Sequence, residues 1–368
     1  AIETMIKEIY IAVKRKVMTV LFMAVVAVNA VADEEKEDAF GTIKRTVRVF
    51  SAIDTAYIEP QHYNYAFMLQ TTYNVDLYWL RSSNGQSVML SPDGALRLGP
   101  YFGWRWLFLG YTFELKNIGV KDNKLKKEFA LSLYSSQIGI DLFYRRTGND
   151  YKIRKADFGE NVDVSRLKNV DFGGLNAGIT GLNLYYIFNH NRFSYPAAFS
   201  QSTIQKVSCG SWMAGVGYTR QSLDLDHDKL QKVVETACQN QQVKIDSSLM
   251  FNSVKFYDLN ISAGYAYNWV FAKNCLLSSS LSAALAYKKS IGDVGPDETN
   301  NFTFKNFDID GIMRVGFIYN NMRWYTGGNV ILHSYNYHKS RFQTNNIFGS
   351  LNVFLGVNFG LKKGYRKK

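Results

Sequence analysis

The sequence predicts an all-β fold: a transmembrane, antiparallel, up-and-down β-barrel of about twelve strands, with long extracellular loops and short periplasmic turns. Three observations predict it. Apolar and polar residues alternate with period two over segments much longer than a typical soluble strand. Aromatic residues gather near the ends of those segments, and very short turns alternate with long polar connections. Aromatics are 15% of the 368 residues, and the mean hydropathy of −0.18 excludes a bundle of membrane helices. Each such helix would need about 20 consecutive apolar residues.

The one comparable apolar run, Val17 to Ala32, reads as part of a secretory signal. Lys14, Arg15 and Lys16 precede it, Ala30-Val31-Ala32 offers a small-residue cleavage site, and an acidic stretch follows from Asp33 to Asp38. A membrane anchor is the alternative, disfavoured because the run is short. Residues 1–32 are thus expected to be a signal peptide with upstream residues, and 33–62 a periplasmic N-terminal segment. Within 41–58 the spacing of Ile43, Val47, Phe50 and Ile53 suggests one face of a helix. The barrel is expected over 63–361 and a basic tail over 362–368.

The first strand, YNYAFMLQTTYNVDLYW (63–79), places Tyr63, Tyr65, Phe67, Leu69, Tyr73, Val75, Leu77 and Trp79 on one face. Strands follow near 95–104, 106–117, 127–134, 137–146, 172–188, 207–221, 253–271, 275–289, 306–320, 322–334 and 346–360. The alternation changes phase between Phe129, Leu131, Leu133 and Ile138, Ile140, Leu142. A hairpin at Ser135-Ser136 explains this and gives twelve strands; a β-bulge in one long strand would give eleven. In 253–271 the outward set is Ile261, Ala263, Tyr265, Tyr267, Trp269 and Phe271; in 346–360 it is Ile347, Leu351, Val353, Leu355, Val357 and Phe359. Trp79, Trp104, Trp106, Trp269 and Trp324 fall near strand ends, as an interfacial girdle would place them. A β-sandwich also alternates, but only a closed barrel leaves no unpaired edge in hydrocarbon.

The long polar segments 81–94, 118–126, 147–171, 222–252, 290–305 and 335–345 are expected outside, with a short surface helix at 227–239. One connection departs from the pattern. NHNRFSYPAAFSQSTIQ (189–205) lies on the short-turn side yet is long and aromatic. It is either a folded periplasmic loop or a plug that carries Arg192, Phe193, Tyr195, Pro196 and Phe199 inward.

Three stretches, FSAIDTAYIEP (50–60), GIDLFYRRTGNDYKI (139–153) and LNLYYIFNHNRFSYPAAFSQSTIQKVSCGSW (182–212), resemble a family of uncharacterised outer-membrane proteins of Bacteroides-type bacteria, the domain-of-unknown-function family DUF4421. The resemblance implies an outer-membrane barrel. It implies no activity and carries over no functional residues.

The residues themselves contain no nucleophile elbow, HExxH helix, P-loop or CxxC pair, so no catalytic, cofactor-binding or metal-binding residue is assigned and no enzyme is expected. His333 and Ser334 are sequence neighbours and should point to opposite faces of a strand, which argues against a dyad. Cys209, Cys238 and Cys275 show neither zinc spacing nor a disulfide framework, and any one pair among them is left open. The net charge is +12; removing 1–32, with Lys7, Lys14, Arg15, Lys16, Glu3 and Glu8, leaves about +10. That charge clusters in the tail, which suits anionic lipid rather than nucleic acid in a secreted chain. The expected partners are outer-membrane lipid and either small solutes or a periplasmic protein; oligomeric state is not assigned.

What remains is the lumen. Parity points Asp76, Arg97, Glu114, Asp141, Arg145, Asp308, Asp310, Arg314 and Arg323 inward, with His333 beside Tyr325 and Asn329. Two uses fit these charges: a paired network that fills the barrel, or a narrow polar conduit for small solutes. A non-conducting structural or interaction barrel is the alternative to the channel, and a membrane-embedded hydrolase a third reading.

Overall fold

A sheet whose two faces meet different solvents needs apolar side chains on one face and polar or packed ones on the other, and period-two alternation supplies both at once. The computed structural model describes residues 53–365 apart from 105–106, 111–112, 115–126, 149, 161, 239–242, 251, 293–306 and 339–341. The chain divides into a unit of residues 1–52 and a unit from Ile53 to Lys368. The expected signal peptide and most of the expected N-terminal helix therefore lie outside the described residues.

In chain order the elements are β1 (Ile58–Pro60), β2 (Tyr63–Ser82), β3 (Ser87–Pro92), β4 (Leu96–Trp104), β5 (Leu107–Gly110), β6 (Phe113–Glu114), β7 (Lys127–Tyr134), β8 (Ile138–Arg146), β9 (Tyr151–Asp157), β10 (Val170–Phe172) and β11 (Leu175–Ile187). Then come α1 (Tyr195–Phe199), β12 (Thr203–Gln205), β13 (Cys209–Leu225), α2 (His227–Ala237), β14 (Ser253–Ala272), β15 (Cys275–Gly292), β16 (Phe307–Asn320), β17 (Trp324–His338) and β18 (Phe342–Leu361).

Antiparallel neighbours run β7–β8–β11–β13–β14–β15–β16–β17–β18–β2–β4, and β4 pairs with both β5 and β6. Since β5 and β6 share one position, the wall has the twelve positions that the alternation predicts. Its first and last strands pair from Tyr63↔Leu361 to Ser82↔Phe342. The sheet is rolled. Arg314 on β16 bonds Asp141 on β8, five strand positions away, where a flat sheet would hold them about 24 Å apart. Phe143 on β8 likewise lies 5.5 Å from Phe348 on β18.

The phase change at Ser135-Ser136 is a hairpin and not a bulge: Tyr134 pairs with Gly139, and the Ser135 amide donates to the Ile138 carbonyl at 2.9 Å. The apolar set faces outward along the wall. Ile261 is 64% exposed, Leu281 66%, Ile309 67% and Val353 56%, values that only a non-aqueous surrounding makes favourable for side chains in one continuous band. Trp104, Trp212, Trp269, Phe271, Trp324 and Phe359 form an exposed aromatic ring at the short-turn end. Trp79 marks the other end, with the Arg81 guanidinium 4.5 Å over its ring; Trp106 lies outside the described residues. No helix among the described residues is long and apolar enough to cross a membrane.

The long-loop end differs from the expectation of plain loops over 81–94 and 147–171. There β3 pairs with the projecting end of β2, β9 with β3, and β10 with β9. This small sheet and α2 enclose an apolar core that includes Leu80, Leu90, Ile153, Phe172, Leu230 and Val234. The helix expected at 227–239 is present as α2, capped by Asp226, whose side chain accepts from the Lys229 amide. It is not merely a surface helix: Leu230 and Val234, one turn apart, are buried in the cap. The expected helix over 41–58 also ends differently. Residues 54–57 form a turn, with the Asp54 carbonyl accepting from Tyr57 and Ile58, and β1 then pairs with β12.

All three cysteines are free. Cys238 is buried in the cap, its thiol donating to the Asp163 carbonyl at 3.5 Å. Burial, and then the nearby Asp163 carboxylate, push that thiol above its ordinary pKa. A protonated, shielded thiol is a poor nucleophile. Maleimide at pH 7.5 should therefore label Cys238 only after the cap is unfolded by denaturant, which mass spectrometry of digests would read; fast labelling in the folded protein would contradict the cap. The belt makes a second prediction. Ile261→Arg should destabilise the protein by about 2–4 kcal/mol in lipid vesicles if this position lies near the bilayer midplane, as measured by denaturant titration. A surface change on a water-facing wall would stay within about 0.5 kcal/mol.

Candidate functional site

The inward face is built from the complementary parity. On β15 it presents Ser278, Ser280, Ala284 and Ala286, all buried. On β16 it includes Gly316, where an added Cβ would stand 3.5 Å from the Phe199 ring. These small residues leave room on one side of the lumen, and the 189–205 segment fills it. The segment is thus an inward plug and not a loop folded outside the barrel. Ser194 caps the short helix α1 by accepting from the Ala197 amide, and Pro196 sits in its first turn. Phe193, Tyr195 and Pro196 are buried, and Phe199 packs beside them. The Tyr195 hydroxyl reaches Ser280 Oγ at 2.9 Å and accepts from Arg314 at 3.3 Å. Its ring packs on Tyr134, Tyr185 and Phe199. At the base of the plug, the Gln205 side chain accepts from the Ser194 amide at 2.8 Å and donates to the Arg192 carbonyl at 2.7 Å. Asn268 Nδ2 donates to the Ser194 carbonyl at 2.8 Å.

Arg192 is the exception among the expected plug residues. Its side chain is 57% exposed, 3.8 Å from Asp54 and stacked over the Tyr57 ring. A guanidinium at the mouth stays hydrated there, whereas burial would cost it several kcal/mol.

Above the plug most of the expected inward charges find partners. Arg314 donates to Asp141 at 2.6 Å, and Asp141 also accepts from Ser132 at 2.7 Å. Arg145 lies 3.8 Å from Asp76, which accepts from Tyr151 at 3.3 Å. Asp310 accepts from Lys288 at 2.6 Å and from the Asn336 amide at 2.8 Å. Asp308 is on the same face nearer the loops, accepting from the His338 amide at 3.4 Å. Register sets Arg97 opposite Thr72, on the inward face, and Arg97 is half-buried; the backbone of Glu114 pairs with Arg97, and its side chain lies outside the described residues.

Arg323 does not line the lumen. It shares parity with the inward Tyr325, but β17 begins at Trp324, so Arg323 lies exposed in a turn whose Met322 has φ 77°. Parity orders side chains only while the ladder persists. Two buried charges were missed by the sequence reading: Lys288 and Asp258, whose side chains lie 3.7 Å apart. Both were legible, since Lys288 shares parity with Ser280 and Asp258 with Asn260. His333 stacks on Phe348 at 4.8 Å with an interplanar angle of 3°, and Phe143 and Tyr335 complete this cluster. Ser334 points the other way, so the two form no dyad. Between Asn183, Asn260, Asp310, Arg314 and Tyr335 remains a cavity of about 30 Å³, room for about two waters.

The ion pair gives the site its sharpest test. The Arg314 and Asp141 side chains are 4% and 9% exposed. Removing one partner leaves a buried charge uncompensated, so Arg314→Met should cost about 3–5 kcal/mol. Adding Asp141→Leu should recover most of that loss, read as coupling in a double-mutant cycle of denaturant unfolding; additive losses would contradict the pairing.

Several solved structures share a likeness. The outer membrane protease OmpT from Escherichia coli aligns over 80% of this chain and 97% of its own, at 8% identity and TM-score 0.35. The translocator domain of the autotransporter NalP from Neisseria meningitidis covers 86% and 95%, at 10% identity and TM-score 0.31. The toluene transporter TodX of Pseudomonas putida covers 81% and 91%, at 6% identity and TM-score 0.22. At such scores the walls do not superpose closely, and the fold of this chain rests on its own register. No curated protein matches. A family model, by contrast, matches residues 52–359, from the turn before β1 nearly to the end of β18, and the chain belongs to that family, the domain of unknown function DUF4421.

Proposed function

We propose that this chain is an outer-membrane barrel that does not conduct, closed at both ends and presenting its folded cap as a contact surface. One observation carries this reading: the lumen is occupied along its length. An apolar core fills the long-loop end, paired charges fill the middle, and the plug fills the short-turn end. The outer-membrane location is supported by the antiparallel barrel wall and its exposed apolar band, the architecture that bacterial outer membranes use. The reading gives the chain no catalytic role.

A second reading, a gated conduit for small solutes, is favoured by one feature. The plug is joined to the wall largely by side-chain bonds, and among the described residues its one ladder is the three-residue pairing of β12 with β1. Withdrawal of the plug would break no strand pairing in the wall. The two readings diverge in a planar bilayer. The closed reading expects silence from the refolded protein and from a deletion of 190–204, because the cap still seals the far end. Discrete conductance steps on deletion alone would replace it with the gated conduit, and steps from the intact protein would overturn it outright.

A further inference from the structure

The outward face of the wall changes character just above the apolar band at the long-loop end. Register sets Arg220 on β13 beside Tyr257 on β14, and Tyr257 beside Lys289 on β15. Two residues nearer the loops, the same register aligns Arg146 on β8 with Lys255 on β14, three strand positions apart through Gly178 and Ser222. With strands about 4.8 Å apart, the four cations form a patch about 19 Å wide. Arg146, Arg220 and Lys255 are exposed and Lys289 is half-buried. None of the four has a carboxylate partner among the described residues. The nearest outward carboxylate on β13, Asp224, accepts from Ser253 at 2.6 Å.

Immediately below, on the same face, Leu259 and Ile261 are 63% and 64% exposed. From Tyr257 down to Trp269 the strand covers about 30 Å of membrane normal at a usual tilt. The cations therefore stand at headgroup depth, with Trp269 at the opposite interface. The Arg220 guanidinium lies 5.4 Å over the Tyr257 ring, which orients it along the wall.

We propose that Arg146, Arg220, Lys255 and Lys289 form a binding site for the phosphate-bearing headgroup of an anionic lipid in the leaflet at the long-loop end. Clustered unpaired cations at an interface attract lipid phosphate with about 1 kcal/mol for each Lys or Arg, roughly fivefold in affinity. A lipid is favoured over an acidic protein because the patch continues the lipid-facing band, where headgroups are already at very high local concentration. The inference needs only the transmembrane barrel and is independent of whether the lumen conducts.

The test uses the full chain in detergent micelles, titrated with diphosphoryl lipid A and followed by native mass spectrometry. Phosphatidylcholine serves as the neutral comparison and inorganic pyrophosphate as the headgroup-free anion. Lys255→Gln should weaken lipid A binding about fivefold, and the quadruple glutamine variant at least about 100-fold, with folding checked by heat-modifiable gel mobility. Lys273→Gln/Arg323→Gln, at the opposite rim, should leave it unchanged. Undiminished binding by Lys255→Gln and the quadruple variant, equal retention of phosphatidylcholine, an equal loss in the rim control, or displacement by equimolar pyrophosphate would each overturn the proposal.

Discussion

A backbone amide or carbonyl inside hydrocarbon has no water to bond, so every strand of this wall must have a neighbour on each side. The pairing of β2 with β18 is where that constraint acts most strongly. It joins the two ends of the chain's barrel over about twenty residues, from Tyr63↔Leu361 to Ser82↔Phe342. Much else follows from it. The wall has an even number of strand positions, both ends of the barrel lie at one rim, and long and short connections must alternate. The same pairing also explains the outer sheet. Where β2 projects past the bilayer, its backbone still needs partners, and β3 supplies them with Leu90 opposite Tyr78.

Rolling a twelve-position wall into a barrel creates an interior that must be filled or wetted. This chain fills it by three different means. At the long-loop end, the inward side chains are apolar and pack against β9 and α2 as a soluble core would. In the middle, inward carboxylates are neutralised at hydrogen-bond distance by Arg314 and Lys288. Such pairs do little for net stability, because desolvation offsets much of the attraction. Their geometry instead fixes which walls face each other: Asp141 meets Arg314 only if β8 and β16 lie across the lumen. At the short-turn end the chain folds its own connection inward, and Tyr195 ties that plug to the same arginine. The ion pair and the plug are therefore one packed unit.

Much of the wall was legible in the residues. Period-two alternation located the strands to within a few residues, and the phase change between Leu133 and Ile138 identified a hairpin that the register contains. Parity placed Asp76, Asp141, Asp310 and Arg314 inward before any contact was known. The same parity places Lys288 and Asp258 there too. Parity misplaced Arg323, because the rule ends where the ladder ends. It also could not see β3, β9 and β10, which are short and owe their extended form to the projecting end of β2.

What the sequence determined by itself is local: the period, the turn residues, the apolar band and the side of each strand that meets lipid. These follow from neighbouring residues and the geometry of one strand. Only the tertiary structure decided what occupies the interior. Whether 189–205 turned inward depended on space left by Ser280 and Gly316 on strands some 80 to 120 residues away. Which carboxylate met which cation depended on the curvature of the rolled wall. Those are distances across a lumen, and they exist only once twelve strand positions have been rolled into a barrel.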